Sequence, residues 1–242
     1  MAASGAVLGA AHDAMAAAVA VGITTRELDA IAERTIRAAG AVPAFLGYQG
    51  FPGTICPSVN DQVVHAIPGD YALADGDLVS IDCGAVLDGW VSDAARTYVV
   101  GSRNRAATRL SEVTRSSLAA GIAAARVGNH IGDIGNAIQR VVEAAGFSCV
   151  ESLVGHGVGR AMHEPPNVPN VGLPGTGEPL VEGLVIAIEP MVNAGGPDVI
   201  LAPDRWTVTT KDGTLSAHWE HTVAVTAAGP RVLTASGQGR DV

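Results

Sequence analysis

LVSIDCGAVLDGWVSDAARTYVV, residues 78–100, is two runs of strand-forming residues on either side of Asp88-Gly89. Asp-Gly between apolar runs is a strong hairpin signal, because both central residues of the favoured tight turn need positive φ. A two-residue turn there sets Leu87 opposite Trp90, Gly84 opposite Asp93 and Asp82 opposite Ala95. Side chains alternate faces along a strand, so Asp82 and Asp93 share one face on a diagonal. Diagonal neighbours lie roughly 7–8 Å apart at the backbone, within reach of a shared ligand. Their surroundings are apolar: Leu78, Val79, Ile81, Val86, Val91 and Val99. Two carboxylates buried there would repel each other and, uncompensated, would cost stability. Either the hairpin is an edge with two solvated aspartates, or a cation lies between them.

The same problem recurs downstream. VIAIEPM places Glu189 at the end of a β-branched run, and HWEHTVAV places Glu220 at the start of another. Four carboxylates in apolar strands carry about four negative charges, which two divalent cations would neutralise. Between them lies GHGVGRAMHEPPNVPN, residues 155–170, whose glycines and prolines oppose a helix or a long strand while it presents His156 and His163.

Around these segments the chain reads as helices, strands, helices, strands. Residues 6–21 have Val7, Leu8, Ala11, Met15 and Val19 near helical spacing. A second helix fits 24–40, capped by Thr24 or Thr25 with Glu27 following, and closed by Gly40. Residues 47–60 read as loop with a short strand at 54–56. Helices are expected at 104–127 and at 131–146, the latter ended by Gly146, and strands at 185–192, 205–210 and 221–226. The first strand-rich half carries His65, Asp82 and Asp93; the second carries His156, Glu189 and Glu220. Two related halves follow from that distribution.

Composition narrows the classes. A net charge of -9 argues against non-specific nucleic-acid binding, which needs a basic surface. Cys56, Cys83 and Cys149 form neither a disulfide framework nor a thiolate zinc site, and reduced thiols in a cytosol account for them. The Ala-rich start lacks a basic segment and is interrupted by Asp13, unlike a secretory signal, and no apolar run approaches the roughly 20 residues a membrane span needs.

From about residue 7 to residue 235 the chain resembles the type I methionine aminopeptidases, metallopeptidases of the pita-bread fold. Five motifs carry the resemblance, in order: SVNDQVVHAIP with His65, SIDCGAVLDGWVSDAARTY with Asp82 and Asp93, GHGVGRAMHEPP with His156 and His163, AIEPM with Glu189, and WEHT with Glu220. The resemblance implies an α+β creatinase/aminopeptidase-like fold, with two pseudo-symmetric halves whose antiparallel sheet is covered by helices. It implies one catalytic domain, 1–242, with no N-terminal extension.

It also implies two divalent ions (cobalt, manganese, iron or zinc). One is bound by Asp93, His156, Glu189 and Glu220, the other by Asp82, Asp93 and Glu220. The implied reaction removes an N-terminal methionine that precedes a small residue, by attack of a hydroxide bridging the two ions. Glu189 shuttles the proton, His163 meets the developing oxyanion, and His65 contacts the amide beyond the scissile bond. The methionine pocket would be lined by Tyr48, Phe51, Cys56, Met162 and Trp206. His12, His130, His218 and His221 fall in no implied role and read as structural. The expected partners are N-termini of nascent polypeptides, near the ribosome, with no nucleic acid or membrane; the expected state is a cytoplasmic monomer. Two other readings stand beside this one. One is an X-Pro aminopeptidase or dipeptidase of the same fold, which shares the ligands but usually carries a large additional N-terminal domain. The other is a specialised paralogue acting as a binding protein.

Overall fold

The computed structural model describes residues 1–102 and 104–235. Helices α1 (Ala2–Ala18) and α2 (Thr25–Ala38) come first, followed by strands β1 (Val42–Pro43), β2 (Ile55–Val59), β3 (Gln62–Val64), β4 (Leu78–Leu87) and β5 (Trp90–Val99). Helices α3 (Arg105–Ala124) and α4 (Ile131–Ala144) open the second half. Ten short strands complete it: β6 (Ser148–Cys149), β7 (Gly155–Gly157), β8 (Glu164–Val168), β9 (Val185–Ile188), β10 (Met191–Asn193), β11 (Val199–Leu201), β12 (Val208–Thr210), β13 (Ser216–His218), β14 (His221–Thr226) and β15 (Gly229–Val232).

The helices follow from local chemistry. At α2, Thr24 accepts a hydrogen bond from the Glu27 N–H while the Glu27 carboxylate accepts one from the Thr24 N–H, closing a capping box. Asn104 caps α3 through the Ala107 N–H, 3.2 Å. Helix α1 begins four residues earlier than its apolar spacing suggests and stops three residues sooner. Gly5 lets its first turns lie against the chain near Leu233, where a Cβ would stand 2.1 Å from the Leu233 carbonyl oxygen. Gly22, at φ 92°, then turns the chain towards α2.

The β4–β5 hairpin has the expected register, with Leu87 paired to Trp90, Gly84 to Asp93 and Asp82 to Ala95. Asp88 and Gly89 sit at φ 51° and 73°, as a type I′ turn requires. Strand β4 also pairs antiparallel with β2 and β1. The second half has a five-stranded antiparallel sheet in the order β15-β14-β9-β7-β8. Two three-stranded sheets, β13-β10-β6 and β11-β12-β3, accompany them, and the latter ties the halves together through β3.

Each half has its own core. Leu8, Met15, Leu28 and Ile36 pack on Val79, Ile81 and Cys83 in the first. Leu110, Leu118, Ile134 and Ile138 pack on Ile186, Ile188, Val223 and Val225 in the second. Fully burying each such side chain is worth about 1.5–3 kcal/mol, so the helix pairs anchor the sheets that carry the polar residues. No described helix is long and apolar enough to cross a membrane.

Among the strands of the second half, three sequence expectations shift. A strand does run through the proline-rich stretch, at Glu164–Val168, because β8 is an edge of its sheet and a missing N–H costs little there. The expected strand 185–192 is split at Glu189-Pro190 into β9 and β10. The expected strand 205–210 keeps only Val208–Thr210, because Asp204 accepts hydrogen bonds from the N–H groups of Trp206 and Thr207 and holds them in a turn.

Candidate active site and metal centre

Hairpin β4–β5 and the β9–β14 pair bring the four carboxylates together from opposite halves. Ile188 pairs with His221, so Glu189 and Glu220, each one residue beyond, leave that ladder at the same end. The halves then join backbone to backbone: the Glu220 N–H donates to the Ala95 carbonyl at 2.9 Å. Thr222 fastens the seam, accepting from the Asp93 N–H at 2.9 Å and donating to the Asp93 carbonyl at 2.8 Å. Glu220 is thereby set beside the aspartate hairpin.

His156 enters from β7, where it pairs with Ala187 and Asn167. Its flanking glycines are required by close approach: a Cβ on Gly155 would stand 2.4 Å from the Ala187 carbonyl oxygen, and one on Gly157 2.3 Å from that of Pro165. The His156 Nδ1 lies 2.8 Å from the Gly157 carbonyl. Donation to that oxygen leaves Nε2 as the lone-pair nitrogen, the arrangement a metal-binding imidazole needs. Nε2 lies 3.8 Å from Asp93 Oδ2 and 3.6 Å from Glu189 Oε1.

The donor set fits a metal. One ligand atom each from Asp93, His156 and Glu220 lie within 4.8 Å of one another, and all three residues are buried. Asp82 Oδ1, Asp93 Oδ1 and Glu220 Oε1 are buried without a hydrogen-bond partner. Burial pushes the Asp93 carboxyl up to about 7. Burial first, then repulsion from Asp93, drives Asp82, Glu189 and Glu220 well above the carboxylate range. Burial lowers His156 to about 4, so its imidazole is neutral at pH 7. Buried carboxylates that resist ionisation, around a neutral imidazole with a free lone pair, are what a divalent cation compensates.

One cleft is lined by all of the expected ligands, by His65 and His163, and by Tyr48, Phe51, Cys56, Met162 and Trp206. Phe51 and Trp206 meet edge to face, centroids 5.1 Å apart. Cys56 and Met162 are buried, while Tyr48 and Trp206 remain partly open. His65 has a positive φ of 60° at the cleft and is exposed, as is His163. Phe45 and Gln49 also line the cleft; Gln49 has no assigned part in the sequence reading and sits at φ 49°.

None of the histidines read as structural is among the residues that line the cleft. His12 is wholly buried with Nε2 2.8 Å from the Ala94 carbonyl, His130 heads α4, and His221 Nδ1 meets Thr234 Oγ1 at 2.9 Å. His218 is 1% exposed, and its Nε2 lies 3.7 Å from Glu189 Oε2.

Residues 1–227 match the model of metallopeptidase family M24. The chain belongs to that family and is a metal-binding hydrolase with the pita-bread fold. It is 54% identical to methionine aminopeptidase 1 of Mycobacterium tuberculosis (strain CDC 1551 / Oshkosh) over 241 residues, covering 97% of this chain and 91% of the relative. The crystal structure of methionine aminopeptidase from Rickettsia prowazekii superposes with a TM-score of 0.95 at 42% identity, covering 97% of this chain and 95% of the other. A prolidase from Pyrococcus furiosus gives a TM-score of 0.77 at 25% identity; the match spans 98% of this chain but 63% of the prolidase.

Proposed function

We propose that the protein removes the N-terminal methionine from nascent polypeptides and peptides, with a small second residue preferred. The observation that carries this reading is the cleft itself, which is lined by the buried Asp93, His156 and Glu220 cluster and by the soft apolar group Phe51, Cys56, Met162 and Trp206. Such a surface suits an unbranched thioether. The full-length likeness to methionine aminopeptidases supports it.

In this reading Asp93, His156, Glu189 and Glu220 hold one divalent ion and Asp82, Asp93 and Glu220 a second, with Asp93 and Glu220 shared. When bound, the ions supply a water acidic enough to attack a peptide bond near neutral pH. Glu189 would take a proton from the attacking water and return it to the departing amine. His163 donates to the scissile carbonyl oxygen as charge builds there. His65 holds the amide beyond the scissile bond. The free α-amine lies at the Asp82 end, so a blocked N-terminus loses that contact. The three buried free cysteines support a reducing, cytoplasmic setting, where a monomer would meet N-termini near the ribosome.

Metal uptake has a proton signature. His156, at about 4, is already neutral at pH 7, so it has no proton to release. Asp93, at about 7, is about half protonated there, and burial raises the carboxyls of Asp82 and Glu220 beside it. Loading metal-free protein with manganese at pH 7 is expected to release protons, with affinity rising with pH by up to about tenfold per unit for each proton displaced, most steeply below pH 7. Calorimetry in buffers of differing ionisation enthalpy measures this. Release of no protons would mean that the carboxylates are ionised and solvated without metal.

The deciding assay measures release of the first residue from Met-Ala-Ser and from Ala-Pro-Ala. It is run anaerobically on metal-stripped protein refilled with manganese, iron(II), cobalt or zinc. Metal-dependent methionine release is the expected result. Cleavage only before proline would favour the X-Pro reading. Cleavage of neither peptide with metal bound would favour a binding role.

A further inference from the structure

One hydrogen bond at the cleft has no part in the reaction as described so far. Tyr48 Oη lies 2.9 Å from His163 Nδ1. The two rings are 5.6 Å apart between centroids and inclined by 31°. The His163 ring also lies 4.3 Å from the ring of His156. Tyr48 belongs to the first half of the chain and His163 to the second, so this bond links groups from both halves. Tyr48 is held in place by a closed turn, in which the Gly47 N–H donates to the Phe51 carbonyl at 2.8 Å and the Phe51 N–H to that of Tyr48 at 2.9 Å.

The direction of the bond follows from acid and base strength. A phenol, with a pKa of about 10, is a far stronger acid than the N–H of a neutral imidazole, and an imidazole nitrogen is a stronger base than a phenol oxygen. The Tyr48 hydroxyl therefore donates and His163 Nδ1 accepts. A neutral imidazole has one donor nitrogen and one acceptor. With Nδ1 accepting, the proton resides on Nε2, the nitrogen left to face an incoming ligand.

We propose that Tyr48 is a positioning residue whose hydroxyl holds His163 as the Nε2–H tautomer, with its ring turned to donate to the carbonyl under attack. This rests on the reading of His163 as the oxyanion donor. The opposite tautomer would point a lone pair at a developing negative charge. Tyr48 thus acts through His163, and its ring alone would suffice for packing against a methionine side chain.

The test compares wild type with Tyr48→Phe, which keeps the ring and removes the hydroxyl. Two readouts are taken on the full chain loaded with zinc, which is diamagnetic: steady-state kinetics on Met-Ala-Ser, and 15N NMR of the histidine side chains, with the His163 signal assigned by its loss in His163→Ala. The wild-type spectrum is expected to show His163 protonated at Nε2 with Nδ1 hydrogen-bonded. In Tyr48→Phe the Nδ1 resonance should move to that of a free acceptor and the tautomers should mix. kcat should fall by roughly tenfold, as for loss of an orienting partner, with KM within about twofold. A wild-type Nδ1–H tautomer, or a His163 spectrum indifferent to Tyr48→Phe, would overturn the proposal. A changed spectrum with unchanged kcat would overturn it as well. Normal kcat in His163→Ala would instead remove the oxyanion reading beneath it, while the spectra still report whether Tyr48 sets the tautomer.

Discussion

Replacing Asp93 with alanine is expected to lower kcat/KM for methionine release by about 10⁴-fold or more, roughly 5 kcal/mol at 1.36 kcal/mol per decade, and to abolish tight binding of the metal pair. Asp93 is the hub of the site. It lies 3.8 Å from His156 Nε2, and its charge is the largest influence after burial on Asp82, Glu189 and Glu220. No other carboxylate acts on all three of these partners. The metal-free variant should melt no lower than metal-free wild type, because the substitution removes a buried carboxyl that repels three neighbours. Thermal unfolding with and without chelator, together with metal stoichiometry by elemental analysis, separates the site effect from misfolding. Stoichiometric tight binding of two ions by Asp93→Ala would contradict the shared-ligand assignment.

His163→Ala is expected to leave metal content intact and to lower kcat by about 10²–10³-fold, the usual cost of one missing donor to an oxyanion. KM should change little, since the donor matters most when charge develops on the substrate oxygen. The side chain lines the cleft, its ring 4.3 Å from that of His156 and tilted to it, yet it is absent from the buried cluster of possible ligand atoms. A normal kcat would end its role as oxyanion donor. A loss of metal would make it a ligand or a support for His156.

Much of this site was legible before folding was considered. Asp88-Gly89 fixes the hairpin register, and register fixes which face Asp82 and Asp93 share, because a tight turn and a two-residue repeat are local properties. The helix boundaries at Thr24 and Asn104 are likewise written in the capping residues. Some boundaries slipped for local reasons, as where Asp204 holds Trp206 and Thr207 in a turn; others are decided by distant contacts. Helix α1 starts early because Gly5 fits under Leu233, more than two hundred residues away.

The two-fold distribution of a histidine and two carboxylates, and the apolar flanks that make those carboxylates costly, came from the sequence by itself. Residue type and alternation carry that information. The distance between the two sets did not. Only the tertiary structure joined them, through the Ala95–Glu220 backbone pairing and the Thr222 contacts to Asp93. It also turned His218 towards Glu189 and set Tyr48 against His163, residues 115 positions apart. Contacts of that kind depend on how two separately packed halves meet, and no local periodicity encodes the seam between them.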